Sequence, residues 1–323
     1  MKDTSVALLR NRPFFGSRIT SLPALYYLKT KHPNHKLLLI GRNSDANFYS
    51  QLDWVDQVED SKNLLSDIIK IPLKPKIMVS FQPSSERAAI IKILKKPKLS
   101  AGYFKKRNIL SNVWDKRIKF RKDTYRATHY LELIQLFETQ RIDLSETLAA
   151  PFQALAAAAK KSSRNEGHYF NILIMPGGGA GDFKKWGKEN FICVARQLAE
   201  NIKKPAYFHV ALGPDEEKEK VYFSNINDER VIVHYCLDLP DLCRTISEAS
   251  IVIANDCGPS HIAQCLGKPF VGIYSHNNTE WFRQNQNSVM VKPHSDQSIK
   301  DINIDTILQA SLSVLDSGIT YKG

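Results

Sequence analysis

Residues 174–186 read IMPGGGAGDFKKW: an apolar run, four glycines, a lysine pair and a tryptophan. Glycines let main-chain N–H groups come close to an anion, and a nearby ammonium adds a point charge, so the stretch has the makings of a phosphate cradle. It is neither of the two common ones. G-x-G-x-x-G fails because position 182 is Asp, and G-x-x-x-x-G-K-[ST] fails because no Gly-Lys-Ser/Thr follows. Dinucleotide dehydrogenases and P-loop nucleotidases are therefore disfavoured. What remains is a glycine-rich turn (Gly177, Gly178, Gly179, Ala180, Gly181) with Lys184 and Lys185 close behind, or, on the plainer reading, a solvent loop.

Two further stretches accompany it. In IANDCGPSHIAQCLGKPFVGIYS (253–275) a strand runs into Asp256, Cys257 and Gly258, and a helix starts near Ser260. The turn amides and the positive end of that helix suit a pyrophosphate. His261, in the first turn, either binds a phosphate oxygen or caps the turn by packing against Asp256. In ALGPDEEKEK (211–220) three acids follow a strand end. An acid beside a nucleotide commonly holds ribose hydroxyls, so Glu217 or Glu216 is a candidate; the same letters also describe the charged opening of a surface helix.

Composition narrows the class. The chain has 323 residues, 43% hydrophobic and 24% charged, the balance of a globular protein long enough for two domains of roughly 150 residues. Five cysteines, all in the second half and with no C-x-x-C pair, point to small buried or half-buried thiols rather than a disulfide framework or a zinc site. No carboxylate cluster speaks for a metal. No apolar run approaches the roughly 18 residues of a membrane span, and the first residues lack a signal-like apolar stretch, so a cytoplasmic location is expected. Between Lys92 and Arg126 thirteen Lys/Arg stand against two acids, which puts +11 of the net +12 in one window interleaved with Tyr103, Phe104, Trp114 and Phe120. Such a window suits an anionic lipid, a phosphorylated glycan or nucleic acid, or is a solvated face. Nucleic acid ranks last because no recognised nucleic-acid module accompanies it.

The elements needed to position these stretches alternate. Strands are expected at 5–10, 36–41 and 76–81, and helices at 18–32, 85–96 and 127–140. After a connection near 154–168 strands return at 169–175, 206–213, 249–256 and 269–274, with helices at 188–202 and 260–267. This is βαβ order repeated twice, an α/β fold of two doubly wound Rossmann-like domains, 1–160 and 161–323.

The motif order resembles glycosyltransferase family 9, the lipopolysaccharide heptosyltransferases. PGGGAGDFKKW is similar to the family's "PG" loop followed by Lys-Arg/Lys/His-Trp. DCGPSHIAQCLGKP is similar to D-[ST]-G-x-x-H-x-A-x-x-L-x-x-P. GSRITSLPALYYLKTKHP (16–33) resembles G-D-x-x-x-x-x-P-A-L-x-x-L-K-x-x-x-P, and SFQPSSERAAIIKILKKPKLSAGYFKKR (80–107) resembles Q-x-x-x-R-S with its basic "GY" segment. The resemblance implies a GT-B architecture, with the two domains facing across a cleft, the acceptor on the first and a nucleotide sugar such as ADP-heptose on the second. It also implies an acceptor of Kdo-lipid A type at the inner face of the inner membrane, and no cofactor or metal.

By motif position, the donor would be met by Gly178, Gly179, Ala180, Lys184, Lys185, Glu217, Asp256, Cys257, Gly258 and His261. The acceptor would be met by Gln82, Arg87, Lys105, Lys106 and Arg107. The family's general base is the Asp of "GD", and here Ser17 stands in its place. A serine of ordinary acidity cannot take a hydroxyl proton, so Asp182 or Asp45 is expected to substitute. Failing that, the chain binds nucleotide sugar or core glycan without turnover.

Overall fold

The computed structural model describes residues 3–9, 14–83, 85–104, 109–159, 169–179 and 181–319. The chain divides into two compact units, Met1–Leu148 and Ala149–Gly323. Of the connection expected near 154–168, residues 160–168 lie outside the described residues.

The first unit carries strands β1 (Thr4–Leu8), β2 (Lys36–Gly41), β3 (Gln57–Asp60), β4 (Ile77–Ser80), β5 (Leu99–Phe104) and β6 (Lys116–Lys119), hydrogen-bonded in the order 3-2-1-4-5-6. All pairings are parallel, with Val6 opposite both Leu38 and Met78. Its helices are α1 (Phe15–Ile19), α2 (Leu22–Lys31), α3 (Asn43–Tyr49), α4 (Leu64–Lys70), α5 (Glu86–Lys95) and α6 (Arg126–Gln135). Helix α7 (Leu144–Ala158) spans the division, and the alanine run expected in a connection forms its last turns.

The second unit repeats the plan. Strands β7 (Phe170–Met175), β8 (Ala206–Leu212), β9 (Val231–Tyr235), β10 (Ile251–Asn255), β11 (Phe270–Ile273) and β12 (Ser288–Val291) lie in the order β12-β11-β10-β7-β8-β9, again wholly parallel. Helices α8 (Lys188–Ile202), α9 (Glu217–Ser224), α10 (Leu239–Glu248), α11 (Ser260–Leu266) and α12 (Ile304–Ile319) complete it. Central strands covered on both faces must be apolar throughout, and β7 and β10, FNILIM and IVIAN, are buried almost end to end. Each sheet reverses its winding direction once, between β1 and β4 and between β7 and β10, and open α/β sheets bind ligands beside such points, at the carboxyl ends of the strands.

The single helix expected at 18–32 is two. Pro23 lacks the N–H that would continue the ladder, and the chain turns at Thr20-Ser21, where the Ser21 hydroxyl donates to the Arg18 carbonyl at 2.7 Å. Ser17 is thereby held, buried, in the five-residue helix α1.

Behind the second sheet's loops sits Trp186, fully buried, its ring edge-on to Phe191 and its indole N–H donating to the Ile302 carbonyl at 2.8 Å. Trp186→Phe would leave that carbonyl unsatisfied and should cost about 1–3 kcal/mol. Thermal unfolding should show a lower midpoint for the variant, and an unchanged midpoint would mean that the bond contributes nothing.

Candidate functional site

In the second unit the loops that leave β7 and β10 flank the winding reversal. They are sewn together by one side chain, that of Asn255 at the end of β10. Its amide donates to the Pro176 carbonyl at 2.7 Å and its oxygen accepts the Trp186 N–H at 3.3 Å, so it grips both ends of the glycine loop. Lys184 then reaches across to the turn after β10, its ammonium 2.5 Å from Asp256 Oδ2. The amide of Asn278 approaches the same oxygen at 3.4 Å. The two motifs 72 residues apart in sequence are thus one site.

The two lysines take different carboxylate partners. Lys185 bonds Glu219 on α9 at 2.9 Å and lies 3.5 Å from Asp182, and the Glu219 bond holds its ammonium more firmly protonated than an ordinary lysine. Asp182 itself points outward, its carboxyl 86% exposed. Glu217 is also turned to solvent, beside Lys220 and Tyr235. The acid brought to the glycine loop is its neighbour Glu216, buried, accepting the Gly213 N–H at 2.7 Å. A Cβ added at Gly177 would stand 2.5 Å from Glu216 Oε1, so this approach needs glycine there. Gly178 is buried against the Lys185 stem, Gly179 is open, and Ala180 lies outside the described residues.

The turn after β10 is dry. Burial pushes the Cys257 thiol up to about 12, which keeps it protonated, and Ser260 Oγ donates to the Cys257 carbonyl at 2.7 Å. Gly258 starts the turn, accepting the His261 N–H at 3.3 Å. Burial lowers His261 to about 4, so its ring is neutral at pH 7. Gln264 sets its tautomer: Oε1 accepts the Arg283 N–H at 2.6 Å, which turns Nε2 toward His261 Nδ1 at 3.2 Å. An amide nitrogen donates, so the imidazole proton resides on Nε2.

In the first unit, Ser17, Arg18, Ser21, Asp45, Tyr49 and Tyr130 line one small polar cavity with Leu9, beyond the carboxyl ends of β1 and β2. Asp45 is its one anionic lining group. Its Oδ1 accepts Arg18 Nε at 2.8 Å, and its Oδ2 accepts the Arg42 N–H at 2.8 Å, the return half of a capping box on α3. Gln82 donates to the Leu9 carbonyl at 2.9 Å, tying the loops after β1 and β4. Arg87 is 2.6 Å from buried Asp67. Lys105, Lys106 and Arg107 lie outside the described residues.

The basic window is not one surface. Arg126 is wholly buried, 4.4 Å over the Phe120 ring, while Lys92 pairs with Asp115 and Arg121 with Glu132. Asn255, Gln264 and Asn278 carry no signal in the sequence that singles them out, because each acts through a partner supplied by another loop. Among the described residues no three His, Cys, Asp or Glu side chains gather as a metal site.

Residues 76–309 match the family model of glycosyltransferase family 9 (heptosyltransferase). No curated protein matches the chain. Among solved structures, the chain is similar to the E. coli heptosyltransferase WaaC with ADP, at 14% identity and a TM-score of 0.71 over 98% of this chain and 100% of that one. It is similar also to E. coli ADP-heptose lps heptosyltransferase II, at 13%, 0.64, 98% and 100% respectively. The glycosyl transferase family 9 structure from Veillonella parvula DSM 2008 gives 15%, 0.66, 97% and 97%. At such identity these three likenesses speak for the fold.

Two histidines of this unit create a pH dependence. His261 and His234, the latter stacked on His209, are both lowered to about 4 by burial. The unfolded chain, with an ordinary histidine near 6.5, takes up the protons first. Stability is therefore full above about pH 6.5 and falls toward pH 4, by about 1.4 kcal/mol per pH unit for each group at most. Melting followed between pH 7 and pH 5 should show a midpoint falling by several degrees, and a shallower fall in the double variant His234→Asn/His261→Asn. Equal slopes in the two proteins would contradict the assignment.

Proposed function

The chain belongs to glycosyltransferase family 9, and from that premise we propose an inverting, metal-independent transfer of heptose or a related sugar from a nucleoside-diphosphate donor to an anionic lipid A–core acceptor at a membrane surface. The observation that carries it is the 2.5 Å contact of Lys184 with Asp256, which joins the glycine loop to the turn after β10 beside the winding reversal of the second sheet.

The reaction is a single displacement. An acceptor hydroxyl attacks the anomeric carbon, the bond from that carbon to the diphosphate oxygen breaks, and the hydroxyl proton passes to a base. Charge builds on the departing diphosphate. Lys184 meets it as a point charge, with main-chain amides of the glycine loop and the neutral His261 Nε2–H as further donors, an arrangement that stabilises charge without a divalent ion. Asp256 repels a phosphate, so its part is to hold the Lys184 ammonium in place and to accept from a sugar hydroxyl. Gly178, Gly179 and Gly258 give close approach, Cys257 contributes main chain only, and Glu216, rather than the outward Glu217, accepts ribose hydroxyls. Lys185, committed to Glu219, orders the loop.

Asp45 is the base. It shares a cavity with Ser17, and each of its oxygens keeps a second lone pair beyond the bond it already accepts. Asp182, highly exposed and beside Lys185, has no such surroundings. Gln82 and Arg87 frame the acceptor end of the same unit.

Transfer should be detected from at least one of ADP-, UDP- or GDP-linked sugars to a truncated core acceptor, and Lys184→Gln should lower kcat by about 10²–10³. No product with any donor, from the wild type or from Ser17→Asp, would leave a sugar-nucleotide-binding protein without turnover. Asp45→Asn should cost about 10²–10⁴ in kcat and, because it also neutralises the partner of Arg18, lower the melting midpoint; Ser17→Asp in that background should restore turnover. No restoration of turnover by Ser17→Asp would make Asp45 structural.

A further inference from the structure

Ten large apolar side chains stand exposed among the described residues, and five of them belong to one part of the first unit: Leu65 (66%), Ile69 (73%), Leu73 (66%), Ile93 (45%) and Leu94 (48%). Their positions join. Leu65 and Ile69 are one turn apart on α4, on the side away from Leu64, Ile68 and Ile71, which face the core with Ile91 of α5. Leu73 follows just beyond the end of α4. The next residue, Lys74, donates its N–H to the Lys95 carbonyl at 2.7 Å, which fastens this turn to the last turn of α5, where Ile93 and Leu94 emerge.

Cations rim the aliphatic patch. Lys62, Lys74, Lys95 and Lys96 make no ion pair among the described residues. The acids close by are neutralised: Asp67 is buried against Arg87, Glu59 is met by Lys70, and Asp115 by Lys92. Asp60, two residues before Lys62, and Glu86, at the far end of α5, are the exceptions.

From this we infer that the outer side of α4, the turn at Leu73 and the end of α5 form a docking surface for an anionic lipid bilayer. The composition selects that occupant. Protein interfaces are enriched in aromatic residues, Met and Arg and depleted in Lys, whereas this patch holds only Leu and Ile inside a rim of Lys. Aliphatic side chains enter the acyl boundary while lysines, with their apolar stems, reach the headgroups. Patches of this kind seldom stand exposed without a partner. The inference adds a location to the proposed action on a membrane-borne acceptor, yet its test needs no sugar transfer.

The full chain is floated with vesicles of phosphatidylcholine mixed with phosphatidylglycerol, and with phosphatidylcholine alone. It should float with the mixed vesicles and much less with the neutral ones, and added salt should weaken the binding. Leu65→Ser/Ile69→Ser/Leu73→Ser should lower the partition coefficient by about tenfold or more. Ile93→Ser/Leu94→Ser should act in the same direction from the other helix, and Lys74→Glu/Lys96→Glu should abolish the preference for anionic lipid. All three should keep the wild-type melting midpoint and the wild-type rate on a water-soluble truncated acceptor. Flotation that the substitutions leave unchanged, no flotation of the wild type, or a wild-type dimer that the triple substitution dissociates would each overturn the inference. Loss of sugar transfer with flotation intact would instead count against the transferase reading alone.

Discussion

The structure of the second unit depends on the closing of one gap, between the loop after β7 and the turn after β10. Parallel strands need a crossover between them, and the pair at a winding reversal, here β7 and β10, is not even consecutive, so the two loops that meet there come from far apart in the chain. Here the closure uses three polar contacts: Asn255 to Pro176, Asn255 to Trp186, and Lys184 to Asp256. The first two are buried amide bonds that fix the backbone. The third is an ion pair largely shielded from water, where the cost of taking two charges out of solvent offsets much of their attraction, so its net contribution to stability is small. Its value lies elsewhere: it holds an ammonium at the one place where glycine amides and the β10 turn converge.

The first unit has the same strand order and uses it differently. Its reversal point carries no glycine-rich loop. The side chains that turn inward there are an arginine, a carboxylate and two tyrosines, with the Ser21 and Tyr49 hydroxyls bonded at 2.8 Å. One backbone plan thus yields a glycine loop carrying a lysine in one half and a carboxylate-bearing cavity in the other, and the difference rests on a few loop residues. Ser17 of α1 and Asp45 of α3 line that cavity from two different elements.

The long apolar strands and amphipathic helices were legible because their periodicity is set by burial: 36–41 and 188–202 are found at the expected bounds. The edge strands were not. β3 and β6 read QVED and KRIK, and a strand paired on one side only needs no apolar alternation. For the site, the glycine loop and the DCGPSH turn were legible because special backbone needs show in residue type. Which of two adjacent glutamates faces the loop was not: Glu216 and Glu217 differ by about 100° around a helix, and the choice depends on where α9 begins.

The basic window shows why a charge count misleads about surface. Thirteen cations in 35 residues suggest one uniform face. Folding removes several of them from it, because strand and helix periodicity sends alternate residues inward whatever their charge. Arg126 is driven into the core, where stacking on Phe120 partly replaces its hydration. Lys92 and Arg121 are spent on Asp115 and Glu132. Of the cations left without such partners, Lys116, Arg117 and Lys119 line the edge strand β6, while Lys95 and Lys96 stand at a helix end beside Lys74, and there the deciding feature is the exposed leucine and isoleucine between them. Charge alone would suit any polyanion; charge around an aliphatic patch suits an interface that is anionic at its surface and apolar beneath.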